Sequence, residues 1–171
     1  MPIPQSTDHR LLSRRLCNTL GFIACILLLS YGYYLQFYEN LEPCPLCIFQ
    51  RLAIFGLGLV FAVAAVHNPR AWGAKVYGVL IFLVAAVGAS ISARHVWLQN
   101  LPEDQIPACG PGLDYLLNTF SLGETIAKVL RGSGDCAEVS WTFLGLSIPA
   151  WTLIAFLCLG LAGAIRNWMR D

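Results

Sequence analysis

Four long apolar stretches dominate the sequence and limit what it can fold into. They run from Leu16 to Leu35, from Ile48 to Val66, from Trp72 to Ala93 and from about Leu146 to Ile165. A helix rises about 1.5 Å per residue, so about 20 residues cross a hydrocarbon core of about 30 Å. With only 12% charged residues, the chain also lacks the polar surface of a soluble domain. We therefore predict an all-α fold, a four-helix transmembrane bundle that forms one domain over residues 1–171.

The first apolar stretch follows several arginines, as the apolar region of a signal peptide does. Its apolar run is too long for such a region, and no convincing small-x-small cleavage site ends it. We expect this stretch to be a membrane anchor.

The charged residues between the stretches are distributed asymmetrically, and this distribution predicts the orientation. One side of the predicted bundle carries mainly basic residues: Arg10, Arg14, Arg15, Arg70, Lys75, Arg166 and Arg170. The other side carries most of the acidic residues: Glu39, Glu42, Glu103, Asp104, Asp114, Glu124, Asp135 and Glu138. Because lysine and arginine in short loops remain in the cytoplasm, we predict that both termini are cytoplasmic. The loops at about 36–47 and 94–145 then lie outside.

This topology divides the seven cysteines into two groups. Three fall inside apolar stretches, where a cysteine behaves as a small buried hydrophobic residue: Cys17, Cys25 and Cys158. Four fall in or beside the outer loops and therefore face an oxidising space: Cys44, Cys47, Cys109 and Cys136.

The four outer cysteines do not look alike. A bridge between Cys109 and Cys136 would close a loop of about 28 residues and stabilise the fold by roughly 3 to 4 kcal/mol, so a structural disulfide is compatible with that pair. A bridge between Cys44 and Cys47 closes almost no loop, and C-x-x-C spacing is typical of redox dithiols. Structural zinc usually needs a second C-x-x-C motif. We therefore interpret Cys44 and Cys47 as a redox pair and assign no metal site.

The surroundings of this dithiol favour reactivity. If a helix begins near Pro45, the N–H groups of its first turn favour a thiolate at the neighbouring cysteines. Arg51 would lie on the same helix face as Cys47, four residues away. An arginine that reaches the lipid headgroups is the alternative interpretation of Arg51.

A dithiol at the membrane edge requires an electron acceptor that the membrane can supply. A lipid-soluble quinone meets this requirement, since it accepts two electrons and two protons, as many as one dithiol gives. Motifs for dinucleotides, nucleoside triphosphates, HExxH zinc and c-type haem are absent from the sequence. We expect no nucleic-acid partner.

Two runs of the sequence and two of its cysteines resemble a known family. The run PCPLCIFQR, the cysteines at positions 109 and 136, and the run GSGDCAEVSWTFLGLSIPAWTL resemble the DsbB family of bacterial inner-membrane disulfide bond formation proteins. The resemblance covers nearly the whole chain in order. It implies a quinone-dependent protein-disulfide oxidoreductase, with ubiquinone or menaquinone as acceptor. It also implies a periplasmic partner, a DsbA-type thioredoxin-fold protein that this enzyme reoxidises.

The resemblance also implies roles for the outer cysteines. Cys109 would form the mixed disulfide with the partner, and Cys136 would be its bonded neighbour. Cys44 would exchange with Cys136, and Cys47 would face the quinone.

Two further residues match positions of the family's quinone site. Arg51 corresponds to a quinone-site arginine, and His95, in SARHVWLQ, falls where the family has a quinone-proximal histidine. Without the resemblance, a histidine at the membrane interface is the simpler interpretation of His95. Pro45 occupies a central C-x-x-C position that varies, so we transfer no redox potential.

The long outer loop contains the run LGETIAKVL, which has one-face apolar spacing. The apolar residues are Leu122, Ile126, Val129 and Leu130, with Glu124 and Lys128 opposite. This pattern predicts a short helix on the membrane surface. The following run GSG predicts a flexible lead that lets Cys136 move toward Cys44 during exchange. A surface loop held by a few apolar residues is the alternative interpretation, and the two are compatible.

Two other functional classes are compatible with parts of the pattern. A thiol oxidoreductase of the vitamin K epoxide reductase type transfers electrons in the same way. Its active C-x-x-C motif, however, lies late in the chain, whereas the motif of this sequence lies early. A membrane scaffold or metal-binding protein with structural outer cysteines is the second class.

Overall fold

The computed structural model describes residues 13–69, 71–110, 112–139 and 141–169. The elements in chain order are α1 (Arg14–Tyr38), α2 (Pro45–His67), α3 (Trp72–Gln99), a 3-10 turn (Glu103–Gln105), α4 (Leu113–Thr119), α5 (Leu122–Arg131), α6 (Gly134–Ala137), β1 (Thr142–Phe143), β2 (Leu146–Ser147) and α7 (Ile148–Trp168). Four of these helices, α1, α2, α3 and α7, are long and apolar enough to cross a membrane. The predicted all-α membrane bundle is confirmed.

The helix ends differ from the predicted span ends. α2 begins at Pro45, before the predicted Ile48, because proline suits the first helical turn. α3 continues beyond Ala93 to Gln99, so its last turns extend past the apolar stretch.

A small antiparallel hairpin precedes α7 and was not predicted. It pairs Thr142 with Ser147 and Phe143 with Leu146. Leu144 and Gly145 connect the strands with φ angles of 52° and 79°, and two successive positive φ values are typical of a tight hairpin turn. α7 therefore begins at Ile148 and not at the predicted Leu146.

Small residues allow the closest approach between helices. α3 packs most extensively against α7. A Cβ added at Gly160 of α7 would lie 2.5 Å from Cβ of Ala85, and one at Gly88 of α3 would lie 2.3 Å from the Phe156 ring. Membrane helices commonly pack through such small residues, since lipid provides no hydrophobic driving force between them.

The described basic residues at the ends of the long helices share one end of the bundle. α1 begins at Arg14, Lys75 lies near the start of α3, and Arg166 lies in the last turn of α7. The Arg14 guanidinium donates to the carbonyl of Pro69, at 3.4 Å, in the loop between α2 and α3. Three other residues used to predict the orientation lie outside the described residues: Arg10, Arg70 and Arg170. The cytoplasmic location of this end stays a prediction.

The predicted helix in the long loop is present as α5, and it begins with a capping box. Ser121 and Glu124 bond reciprocally to each other's backbone N–H groups. The Ser121 hydroxyl and then the Ser121 N–H donate to the Glu124 carboxylate, which lowers the pKa of Glu124. Of the predicted apolar row, only Val129 is buried, and Thr125 occupies the other buried position. The remaining members of the predicted row are exposed: Leu122, Ile126 and Leu130. Their contact with a membrane surface stays a prediction.

The three cysteines in the spans are not all buried. Cys25 is 1% exposed and packs in the bundle core, Cys17 is half-buried, and Cys158 is exposed on the outside of α7. The prediction that all three are buried is therefore wrong for Cys158. Apolar sequence alone does not distinguish a helix face that contacts protein from one that contacts lipid.

Candidate functional site

The two thiols of the C-x-x-C motif lie side by side at the start of α2. Cys44 is the N-cap residue, and its Sγ accepts a hydrogen bond from the backbone N–H of Cys47 at 3.4 Å. The two sulfur atoms are 3.3 Å apart. Both are therefore at the positive end of the helix dipole, which favours negative charge on sulfur. The condition for this effect, a helix that begins near Pro45, is met.

His95 of α3 lies against both thiols. Its Nε2 is 3.8 Å from Sγ of Cys44, and its Nδ1 is 4.0 Å from Sγ of Cys47. Only 2% of the residue is exposed. The structure thus places His95 at the dithiol and not on the exposed surface that an interface histidine would occupy.

Behind His95 is a buried chain of polar side chains that sequence reasoning missed. Gln50 Nε2 is 3.1 Å from His95 Nδ1, and Thr152 donates to Gln50 Oε1 at 2.9 Å. Ser92 Oγ lies 3.2 Å from the Thr152 hydroxyl. Gln50 and Ser92 are 2% and 0% exposed. A signal was available, because polar residues inside membrane spans are costly and usually functional, and Gln50 shares a helix face with Cys47.

Cys136 contacts the dithiol from the long outer loop. It lies in α6, is 1% exposed, and belongs to a buried apolar cluster against which Cys44 packs. A hydrogen bond with the Cys44 sulfur, together with burial, raises the pKa of Cys136. The structure therefore brings together the two cysteines that the resemblance pairs for exchange.

Cys109 is exposed and lies beside α6. A Cβ added at Gly134 would lie 3.0 Å from Sγ of Cys109, and the Gly134 N–H donates to the carbonyl of Ala108 at 3.3 Å. Asp135 accepts a hydrogen bond from the Cys109 thiol and repels its thiolate, which raises the pKa of Cys109.

All seven cysteines are free thiols in this structure. The implied bond between Cys109 and Cys136 is therefore not formed here, and the pairing stays a prediction.

Arg51 points toward α1. Its guanidinium donates to the side-chain oxygen of Gln36 and, at 2.9 Å, to the carbonyl of Gly32. The ring centroid of Tyr33 is 5.1 Å from the guanidinium carbon. These contacts hold the guanidinium between α1 and α2. An arginine that extends to the lipid headgroups would not require such partners within the protein.

A cavity of about 470 Å³ lies beside Cys47 and Arg51. α1, α2, α7 and the hairpin form its walls, and most of the lining is apolar. Trp141, Phe143 and Trp151 form an aromatic side, fixed by a hydrogen bond of 3.0 Å from Trp151 Nε1 to the Phe143 carbonyl. Polar groups reach it from Cys47, Gln50, Arg51, Glu42 and Thr152.

His95 does not line this cavity and communicates with it through Gln50 and Cys47. It lines a separate cavity of about 50 Å³ beside Cys44. The proximity of His95 to a quinone stays a prediction.

One family model and three relatives that match this chain are described as disulfide bond formation proteins. The family model described as "Disulfide bond formation protein DsbB" matches residues 14–165. A disulfide bond formation protein B of Nitrosococcus oceani is 60% identical over 149 residues, which cover 87% of this chain and 88% of the relative. Proteins of the same name from Methylococcus capsulatus and Hahella chejuensis are 52% identical over 156 residues and 51% identical over 146 residues. These matches cover 91% and 85% of this chain and 95% and 88% of the relatives.

Proposed function

The chain belongs to the DsbB family of disulfide bond formation proteins, and we propose that it reoxidises a DsbA-type periplasmic partner and passes the electrons to a membrane quinone. In this proposal it is a multi-pass protein of the bacterial inner membrane, with Cys44, Cys47, Cys109 and Cys136 on the periplasmic side. One observation carries the proposal: the Cys44–Cys47 dithiol lies between Cys136, in whose apolar cluster Cys44 packs, and the cavity that Cys47 and Arg51 line.

The exposure of the two loop cysteines supports their order of reaction. A thiolate of the reduced partner attacks Sγ of Cys109, the exposed member of the oxidised pair, and Cys136 leaves as a thiolate. The second partner thiol then attacks the mixed disulfide. The partner leaves oxidised, and the loop pair holds two electrons and two protons.

The second exchange takes place where the loop meets α2. Cys136 attacks Sγ of Cys44 in the Cys44–Cys47 disulfide, and Cys47 leaves as a thiolate at the helix N-terminus. Cys109 then attacks Cys136, which restores the loop disulfide and releases Cys44. The dithiol at the membrane edge is now reduced, and the loop pair is ready for another partner.

The cavity beside Cys47 fits a quinone headgroup. Small-molecule sites are usually about 300–1,000 Å³, mostly apolar, with a few convergent polar groups, as this cavity is. A bound quinone would accept the two electrons and two protons of the dithiol. Arg51 and Gln50 offer hydrogen-bond donors there, and Cys47 presents its sulfur. The chain from Gln50 to His95 offers groups that hold a proton near the thiols.

The order of electron transfer is tested by inactivating the loop pair, Cys109 and Cys136, while the membrane-edge pair, Cys44 and Cys47, stays intact. We expect Cys109→Ser and Cys136→Ser each to abolish oxidation of a reduced DsbA-type partner. In both variants a small dithiol reductant should still pass electrons through Cys44 and Cys47 to quinone. Cys158→Ser is the matched control, since Cys158 is exposed and lines neither cavity beside the dithiol, and it should behave as wild type. Intact partner oxidation in either loop variant would contradict the order.

A further inference from the structure

Cys44, Cys47 and His95 present three ligand atoms that all lie within 4.8 Å of one another. We propose that, when the dithiol is reduced, these residues bind one thiophilic divalent cation such as Zn²⁺. The binding itself needs neither quinone nor partner. Its effect on turnover, blockage of the dithiol, rests on the function proposed above.

The spacing of the ligand atoms matches the edges of a tetrahedron around zinc. With Zn–S bonds of about 2.3 Å and Zn–N bonds of about 2.0–2.1 Å, neighbouring ligand atoms lie about 3.6–3.8 Å apart. The two sulfur atoms are 3.3 Å apart, and Sγ of Cys44 is 3.8 Å from Nε2 of His95. The third edge, from Sγ of Cys47 to the imidazole nitrogen, is at most 4.8 Å, so shifts of up to about 1 Å would complete three corners.

Gln50 can provide the hydrogen-bond acceptor that a metal-bound histidine normally has for its second ring nitrogen. A histidine that binds through Nε2 donates its Nδ1–H to a fixed acceptor. The Gln50 amide lies 3.1 Å from Nδ1, and rotation of this amide by half a turn presents its oxygen there. Thr152 then accepts from the amide nitrogen, and its single hydroxyl hydrogen, which both Gln50 Oε1 and the Pro149 carbonyl approach at 2.9 Å, is donated to Pro149 alone. The His95 Nδ1–H and the Thr152 hydroxyl therefore both have partners after the rotation.

The smaller cavity supplies space and charge for the cation. Its volume of about 50 Å³ exceeds the about 10–15 Å³ that is needed to hold one water. Cys44, Cys47 and His95 line it together with three carboxylates, those of Glu42, Asp135 and Glu138. Carboxylates attract a cation, and either one of them or a water can occupy the fourth corner. C-x-x-C spacing alone did not reveal this site, because the other ligands lie far away in sequence.

Binding is confined to the reduced protein. Two thiols and Zn²⁺ give a zinc bis-thiolate and two released protons, and no electron is transferred. The Cys44–Cys47 disulfide has no thiolate to offer. A cation held by both sulfur atoms would therefore compete with oxidation of the dithiol.

The test uses the full chain, purified in detergent and reduced anaerobically, with Cys109→Ser and Cys136→Ser to remove the other outer thiols. Titration of Zn²⁺ against a chromophoric chelator should show one tight equivalent, absent after oxidation of the dithiol. Substitution of a residue that hydrogen-bonds a metal ligand typically weakens metal affinity by about ten- to a hundredfold. We therefore expect Gln50→Leu to weaken binding by that factor and His95→Ala by at least about a hundredfold.

His67→Ala is the matched control, since His67 lies at the opposite end of α2, and it should leave zinc affinity unchanged. Equal affinity in His95→Ala, or a tight equivalent retained in Cys44→Ser/Cys47→Ser, would overturn the proposal. X-ray absorption of the parent zinc complex decides the matter if His95→Ala does not fold. A shell with two sulfur atoms supports the site, and any other sulfur count overturns it. Since quinone and partner are absent, this result and the test of the order of electron transfer fail independently.

Discussion

Arg51→Lys separates a role in quinone binding from a role in holding α1 and α2 together. The arginine donates to Gln36 and Gly32 from two different nitrogens. A lysine has one nitrogen and cannot reproduce this fork, so it loses one hydrogen bond from a charged donor. Such a bond contributes about 1.5–3 kcal/mol, which corresponds to about ten- to a hundredfold in an equilibrium constant. We expect a loss of this size in apparent quinone affinity, because Arg51 lines the cavity and its remaining N–H groups can donate to a quinone oxygen, whereas a single ammonium cannot serve both the helix partners and the cavity.

The assay titrates quinone at a fixed concentration of reduced partner, and Gln36→Leu is the matched control. Gln36→Leu removes one partner of the guanidinium but leaves its charge and its Gly32 contact in place. We expect thermal stability to fall modestly in both variants and quinone affinity to fall strongly only in Arg51→Lys. Superimposable titrations of wild type and Arg51→Lys would refute a quinone-site role. An equal loss of affinity in both variants would show that Arg51 only ties the helices together.

Three further outcomes are expected. Asp135→Asn removes the carboxylate that raises the pKa of Cys109, so timed alkylation of Cys109 should follow a pH profile shifted to lower pH; an unchanged profile contradicts this cause. Gly134→Ala places a Cβ 3.0 Å from the Cys109 sulfur and should slow formation of the loop disulfide, measured by quenched mass spectrometry. Gly123→Ala, where a Cβ meets nothing within 4 Å, should not slow it. An impermeant thiol reagent should label Cys109 in intact cells but Ser13→Cys only after permeabilisation, and labelling of Ser13→Cys in sealed cells would show that the orientation is inverted.

The bundle could be predicted because a bilayer imposes a simple length requirement on apolar segments. The face of each helix that packs against protein could not be predicted. A span that contacts lipid is apolar all around, so periodicity does not reveal which side packs against protein. Cys158 on the outside of α7 and Cys25 in the core occupy similar sequence contexts, yet the structure places them oppositely.

The cysteine motif was readable from local spacing, whereas the groups around it depend on tertiary contacts. His95 reaches the dithiol because α3 packs against α2, and Thr152 joins the same network from α7. These contacts join residues far apart in the chain, so no sequence window contains them. The hairpin before α7 was missed for another reason: its turn is Leu144-Gly145, not the Asn-Gly or Asp-Gly pair that usually signals such a turn.

Family membership also decides between the functional classes compatible with the sequence. The matched region spans residues 14–165 and includes both the early C-x-x-C motif and the loop cysteines. A vitamin K epoxide reductase type enzyme and a non-enzymatic scaffold are therefore set aside. The cation site proposed for Cys44, Cys47 and His95 is an additional property of the reduced dithiol and does not make the protein a metal-binding scaffold.

In the proposed function, electrons from a periplasmic dithiol reach a membrane quinone through Cys44 and Cys47. Anaerobic reduction of quinone by a reduced DsbA-type protein, with this chain in lipid vesicles, measures that transfer directly. We predict one quinol per oxidised partner disulfide, and no quinol when the chain is omitted or carries Cys47→Ser. Quinone reduction that proceeds equally with Cys47→Ser, or partner oxidation without matching quinol, would contradict the account.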